Sequence, residues 1–178
     1  DGDMPNMMYD WRMNNVSIAV VHMDFDVNNS AGTNKVVDFS TFSHNGTAYG
    51  ALWNMTGGKN GSGAYEFDGN DYINLGNKRS LPNNYSARSI CVWAKPTVID
   101  NDYRYALAYG RDSNSQSMGI GSYGNYLLVG ARNNEFWIEG VWNQDEGRDI
   151  CLTYEGSIAS VYIDGFMNVT GSMAWPLS

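Results

Sequence analysis

The run D-I-C-L-T-Y-E-G-S-I-A-S-V-Y-I-D-G, residues 149–165, decides the fold class. Ile150, Leu152 and Tyr154 alternate with Cys151 and Thr153, the period of two that a half-buried strand requires. Glu155, Gly156 and Ser157 supply a turn, because glycine takes positive φ without steric cost. Beyond it Ala159, Val161 and Ile163 fall on one side of a second alternating run, and Asp164-Gly165 marks the next turn. The pattern predicts a β-hairpin whose first strand carries a cysteine suited to a tie with another strand.

The same period recurs along the chain. Strands are expected over Val16–Phe25, Ala48–Met55, Ala64–Gly69, Asp71–Leu75, Ser89–Lys95, Arg104–Tyr109, Ser117–Ile120, Tyr126–Ala131 and Glu135–Val141, with a short extended piece at Val36–Ser40. Asn45-Gly46 is a strong turn signal, Thr56 to Gly63 is a glycine-rich loop, and Pro96 stops the run before it. No segment keeps a helical period over three turns. Glycine punctuation every eight to twelve residues predicts an all-β sandwich or barrel. One domain is expected over 16–178, preceded by an arm over 1–15 without clear period.

Composition narrows the partners. The 178 residues are 43% hydrophobic and only 17% charged, the make-up of a folded chain with a real core. A formal charge of −8 leaves no basic footprint for nucleic acid and repels an anionic membrane surface. No apolar run reaches the roughly 20 residues of a spanning helix, so direct membrane insertion is not expected. Cys91 and Cys151 belong to no CxxC pair, and His22 and His44 lie far from both in sequence, which argues against zinc and leaves two thiols or one disulfide. Asn-x-Ser/Thr occurs at Asn15, Asn28, Asn45, Asn54, Asn60, Asn84 and Asn168, so the chain reads as extracellular or cell-surface and glycosylated.

Several motifs in order resemble a laminin-G-like domain, in the branch shared with pentraxins among the concanavalin A-like jelly rolls. They are Asp38, Ser40 and Asn45 to Thr47; Phe67-Asp68-Gly69 with Asp71-Tyr72-Ile73; Trp93 to Pro96; the strand ending in Tyr154-Glu155-Gly156; and Val161 to Gly165. The resemblance spans roughly residues 16–170 and implies a two-sheet antiparallel β-sandwich. It pairs a cysteine in each of the strands corresponding to 89–95 and 149–154, and so implies a Cys91–Cys151 disulfide. It also implies further strands after Gly165. With the sequence ending at Ser178, the final strand is expected from another chain, by strand exchange, or from residues 1–14.

The family places the loops of Asp38, Asn45, Asp68, Asn70 and Asp71 near one another, and hard oxygen ligands from several loops suit calcium. Asp100, Asp102 and Asp112 form a second, weaker set. The alternative is that these carboxylates only cap their own turns. Glu66-Phe67-Asp68 followed by Asp71 also resembles the catalytic strand of laminarinase-type glycoside hydrolases, but Asp71 stands where the acid/base glutamate would be, and the non-catalytic F-D-G-x-D signature fits better. The six Trp and twelve Tyr suit a sugar platform. Tyr103, Tyr105, Tyr109, Tyr123, Tyr126 and Trp137 are the residues expected to line it, whereas Trp53, Trp93, Trp142 and Tyr162 are expected to be structural. The function expected is non-enzymatic recognition of a glycan or surface protein within a larger surface protein. A glycosylated subunit of an extracellular filament or surface layer comes second, and a glycoside hydrolase third.

Overall fold

A computed structural model describes residues 12–17, 19–26, 28, 33–111 and 113–177. The chain is all-β, its sheets are antiparallel, and no α-helix occurs among the described residues. It divides into two compact units, Asp1–Leu81 and Pro82–Ser178. Residues 1–11 of the expected arm lie outside the described residues, while Arg12 to Asn15 enter a short hairpin.

In the first unit that hairpin pairs β1 (Arg12–Met13) with β2 (Val16–Ser17). A three-stranded sheet joins β3 (Lys35–Val36), β4 (Gly46–Tyr49) and, beyond them in sequence, Tyr72–Asn74. β5 (Leu52–Asn54) pairs with β6 (Ala64–Glu66), so Tyr72–Asn74 is β7. Val36, Ala48 and Ala51 form a small core, with Met23, Phe25, Tyr65 and Ile73 against it.

Two expectations fail here for identifiable reasons. The single strand expected at Ala48–Met55 is broken at Gly50, whose φ of +79° turns the chain. Among the described residues, the long strand expected at Val16–Phe25 keeps ladder pairing only at Val16–Ser17. The backbone beyond it spends its hydrogen bonds one at a time: Val20 O accepts from Ser40 Oγ, His22 N donates to Asp38 Oδ1, and Phe25 O accepts from Trp53 Nε1.

The second unit is a sandwich of two four-stranded sheets. One takes the order Asn134–Ile138 (β12), Tyr126–Ala131 (β11), Ser117–Tyr123 (β10) and Arg104–Gly110 (β9). The other takes the order Phe166–Ser172 (β15), Ile158–Ile163 (β14), Arg148–Glu155 (β13) and Arg88–Ala94 (β8). Alternation selects the inner faces. Met118, Ile120, Leu127, Val129 and Ala131 of the first sheet meet Ile150, Leu152, Tyr154, Ala159 and Val161 of the second in one buried cluster.

Cys91 stands directly opposite Cys151 in the β8–β13 register, and the two are disulfide-bonded with Cα atoms 4.1 Å apart. Their neighbours Ile90, Val92, Ile150 and Leu152 face the core, so the bridge lies on the outer surface of one sheet. It ties adjacent strands of a layer and does not cross between layers.

The strand after Gly165 is supplied by the chain itself. Phe166–Ser172 pairs with β14, and a bulge leaves Asn168 without a partner between the Tyr162–Met167 and Val161–Val169 pairs. Its exposed, polar pattern carries little apolar alternation, which is why it is hard to see in the sequence.

Residues 173–177 then enter the core. Trp175 and Leu177 are fully buried. Trp175 Nε1 donates to Asn134 O of β12, Asn134 Nδ2 donates to Ala174 O, and Asn84 N donates to Leu177 O. Arg88 completes the seal. Its Nη1 donates to Asn84 O and Ser86 O, its Nη2 donates to Trp175 O, and its guanidinium lies 4.4 Å from the centre of the Tyr154 ring.

Two outcomes follow from this packing. Arg88→Met, which strips donors from three carbonyls, should lower the unfolding free energy by about 3 kcal/mol or more in urea titration. Arg88→Lys should recover only part of it, lacking the fork. Replacing both cysteines by serine releases a loop of sequence separation 60. In the chain-entropy account this costs about 3–5 kcal/mol, readable as a lowered urea midpoint with an unchanged circular dichroism spectrum.

Candidate functional site

The outer face of the β9–β12 sheet gathers most of the expected platform. Two rows cross it. In the first, Tyr105 of β9 is paired with Gly121, Gly121 with Leu128, and Leu128 with Trp137 of β12. In the second, Tyr103 packs on Tyr123, which is paired with Tyr126 across the β10–β11 turn. Ring centroids lie 5.0 Å apart for Tyr103–Tyr123, 5.9 Å for Tyr123–Trp137, 6.0 Å for Tyr126–Trp137 and 6.3 Å for Tyr103–Trp137. Tilted and edge-on contacts of this kind let the ring quadrupoles attract and hold the cluster in one arrangement. Tyr103, Tyr105 and Trp137 remain about half exposed or more, at 60%, 53% and 47%.

Glycine makes the surface possible. A Cβ on Gly121 would lie 2.4 Å from Arg104 O and 2.9 Å from the Tyr105 ring, and one on Gly119 would also meet that ring. The Tyr105 ring therefore lies over a floor with no side chains. Leu128 is buried on this outward face although it lies outside the inter-sheet core.

Tyr109 does not join the cluster. A bulge at Ile120/Gly121 leaves Ala106 unpaired, so Tyr105 sits opposite Gly121 while Leu107 and Tyr109 sit opposite the core residues Ile120 and Met118. The shift in parity turns Tyr109 inward. Its hydroxyl is buried with no partner among the described residues, and burial pushes it up to about 12 against the opposing effect of the nearby Arg88 charge. Trp142, expected to be structural, is buried and donates from Nε1 to Gly121 O beneath the platform.

Glu139 was not singled out in the sequence, although period two from Trp137 points to it. Its carboxylate stands beside Tyr126, and its charge, with a hydrogen bond from the hydroxyl, raises the Tyr126 pKa.

The chain is similar in structure to domain 4 of AbnA, an extracellular GH43 arabinanase from Geobacillus stearothermophilus, solved in complex with arabinotriose. The TM-score is 0.60 at 18% identity, covering 86% of this chain and 74% of that one. At that identity the likeness concerns the fold. No family model matches the chain, and no curated protein does. The resemblance to laminin-G-like domains thus holds at the level of the β-sandwich.

The expected calcium residues fall into two groups. Asp38 and Asn45 meet in one network: Asp38 N donates to Asn45 Oδ1 at 3.0 Å. Asp38 Oδ1 accepts from His22 N and Ser40 N, and Oδ2 accepts from Ser40 Oγ and His44 N. Asp68, Asn70 and Asp71 share a separate exposed turn, in which Asp71 Oδ2 accepts from Asp68 N and Asp68 Oδ1 from Asn70 N. Asp100 pairs with Arg104, and Asp112 lies outside the described residues. No cluster of three or more acidic, His or Cys side chains suited to a metal occurs among the described residues. Glu66 ends β6 and accepts from Asn54 Nδ2, so the ladder stops before Asp68.

The sequons differ in setting. Asn15, Asn60 and Asn84 sit at positive φ on exposed backbone, and Asn28 and Asn168 are exposed. Asn45 and Asn54 have side chains engaged within the first unit.

Burial of Asp38 by itself raises its pKa, but the donors around the carboxylate outweigh it and hold the group below its ordinary value. The stabilisation is therefore complete above about pH 4 and is lost as pH falls through the lowered native value. Asp38→Asn should destabilise the first unit by about 1–3 kcal/mol near neutral pH, and the difference from the parent should shrink on acidification, as read by thermal unfolding across pH.

Proposed function

We propose that this chain is a non-catalytic, extracellular carbohydrate-recognition module that takes a glycan onto the aromatic face of the β9–β12 sheet. The observation that carries the reading is the convergence of Tyr103, Tyr123, Tyr126 and Trp137, with Tyr105 over Gly119 and Gly121, on one outward surface. Sugars present apolar C–H faces and hydroxyl edges. Aromatic planes meet the first, and Glu139 with the tyrosine hydroxyls meets the second.

The domain of similar fold was solved with arabinotriose, which supports a glycan as the class of ligand. The disulfide and the extracellular enzyme that houses that domain support a secreted setting. No helix among the described residues is long and apolar enough to cross a membrane. Recognition is favoured over hydrolysis because the face is aromatic and no pair of carboxylates stands among the cluster residues.

Screening on a glycan array and titration calorimetry with arabino-oligosaccharides test the reading. Trp137→Ala should weaken binding at least about 30-fold, as expected of a central aromatic anchor, with the spectrum of the folded protein unchanged. Undiminished binding by Trp137→Ala and Tyr103→Ala variants would sink it, as would turnover of the bound glycan.

A further inference from the structure

The sheet that holds the disulfide ends in a free edge. β15 pairs with β14 on one side, and no strand pairs with the other among the described residues. Unpaired N–H and C=O groups along such an edge are a template on which a second chain can add a strand. Charge and proline blunt the other three edges of the sandwich: β9 holds Arg104, β12 holds Glu135, and β8 runs into Lys95 and Pro96. β15 has neither, within Phe166–Ser172 or at the residue on either side. It also exposes Phe166 and Met167, at 79% and 63%. We infer that an N-linked glycan on Asn168 guards this edge and keeps the chain from pairing with a second copy through β15; the inference rests on the secreted setting proposed above and not on the aromatic face.

Three observations single out Asn168. Asn168-Val169-Thr170 is an acceptor sequence, and none of the other edge strands of the unit contains one. Asn168 is also the extra residue of the bulge and is exposed, so a sugar attached there costs the ladder no hydrogen bond. Last, there is space beside it. The tail ties the far end of β15 to β12, where Asn134 Nδ2 donates to Ala174 O. At the near end a cleft of about 290 Å³ stays open, lined by Asn168 itself with Ile138, Glu139, Val141 and Ile163 among others. Apolar walls with one carboxylate suit the C–H face and the hydroxyls of a first sugar, which holds the glycan against the edge.

The modification is a group transfer. Asn168 Nδ2 attacks C1 of a lipid-diphosphate-linked oligosaccharide on a membrane transferase. The Nδ2–C1 bond forms, the C1–O bond to the diphosphate breaks with its electron pair, and the amide releases one proton. The linked side chain stays neutral, so the edge is guarded by bulk and hydration. A hydrated oligosaccharide cannot enter a strand–strand interface without losing its hydrogen bonds to water.

The test uses the full chain from two sources, a secretory host that attaches N-glycans and a bacterial host that exports the chain without them. Peptide mass spectrometry should find Asn168 occupied in most molecules from the first. Sedimentation velocity across a wide range of concentration should show the glycosylated wild type as a monomer. The unglycosylated wild type should self-associate, with an apparent dissociation constant at least about tenfold lower. Asn168→Gln from the first host, which removes only the acceptor, should do the same. Asn168→Lys also loses the glycan but puts a charge on the edge, so it should return to the monomer with an unchanged circular dichroism spectrum. An unmodified Asn168, an Asn168→Gln chain that stays monomeric, or an Asn168→Lys chain that associates as strongly as Asn168→Gln overturns the inference. Oligosaccharide binding is not read in this experiment, so the aromatic face and the guarded edge stand or fall separately.

Discussion

Arg88 is the constraint on which the sandwich depends. Its guanidinium is buried with no carboxylate partner among the described residues, a situation proteins usually avoid because an isolated charge loses its hydration. Here that loss is offset by three carbonyl acceptors and a tyrosine face. The acceptors come from two places far apart in sequence, the approach to β8 and the segment carrying Trp175. Satisfying the cation therefore fixes the position of the tail. Trp175 can then fill the core only where its indole nitrogen reaches β12. One side chain from the first strand of the unit thus settles where its last residues go. Burial pushes the Arg88 pKa down, but the Tyr154 and Tyr109 environments oppose the shift.

The platform depends on a smaller irregularity. Without the bulge at Ile120/Gly121, β9 would keep strict alternation, and Tyr105 and Tyr109 would share a face. The extra residue separates them, sending one to the outer surface and the other into the core. Gly119 and Gly121 then allow the Tyr105 ring to lie on backbone. Bulge and glycines together turn an ordinary strand face into a shallow aromatic shelf.

What could be read from the sequence follows from which forces are local. The strands of the second unit were legible because their inner residues alternate with few interruptions, as in Leu127, Val129 and Ala131, or Ile150, Leu152 and Tyr154. The Cys91–Cys151 pairing came from the family resemblance and matches the observed register. Four of the six platform residues meet in the cluster and Tyr105 lies beside them on the same face. Tyr109 was lost because a bulge leaves no mark in the residue pattern. The first unit was less legible. Between Ala19 and Asp26 the apolar residues suggest a strand, yet the backbone is held by Asp38, Ser40 and Trp53 through side-chain contacts that are long-range in sequence. The tail was illegible for a similar reason: a tryptophan near Pro176 gives no period, and its burial is decided by Arg88.

The sulfur bridge sits between adjacent strands in register, on the outer surface. Sliding β13 by one residue against β8 would send the two thiols to opposite sides of the layer, beyond bonding distance. Within the folded sheet the bridge is therefore compatible with the observed alignment and not with a one-residue slip. In an oxidising compartment the bridge acts as a lock on that alignment, the one in which Ile150 and Leu152 face inward.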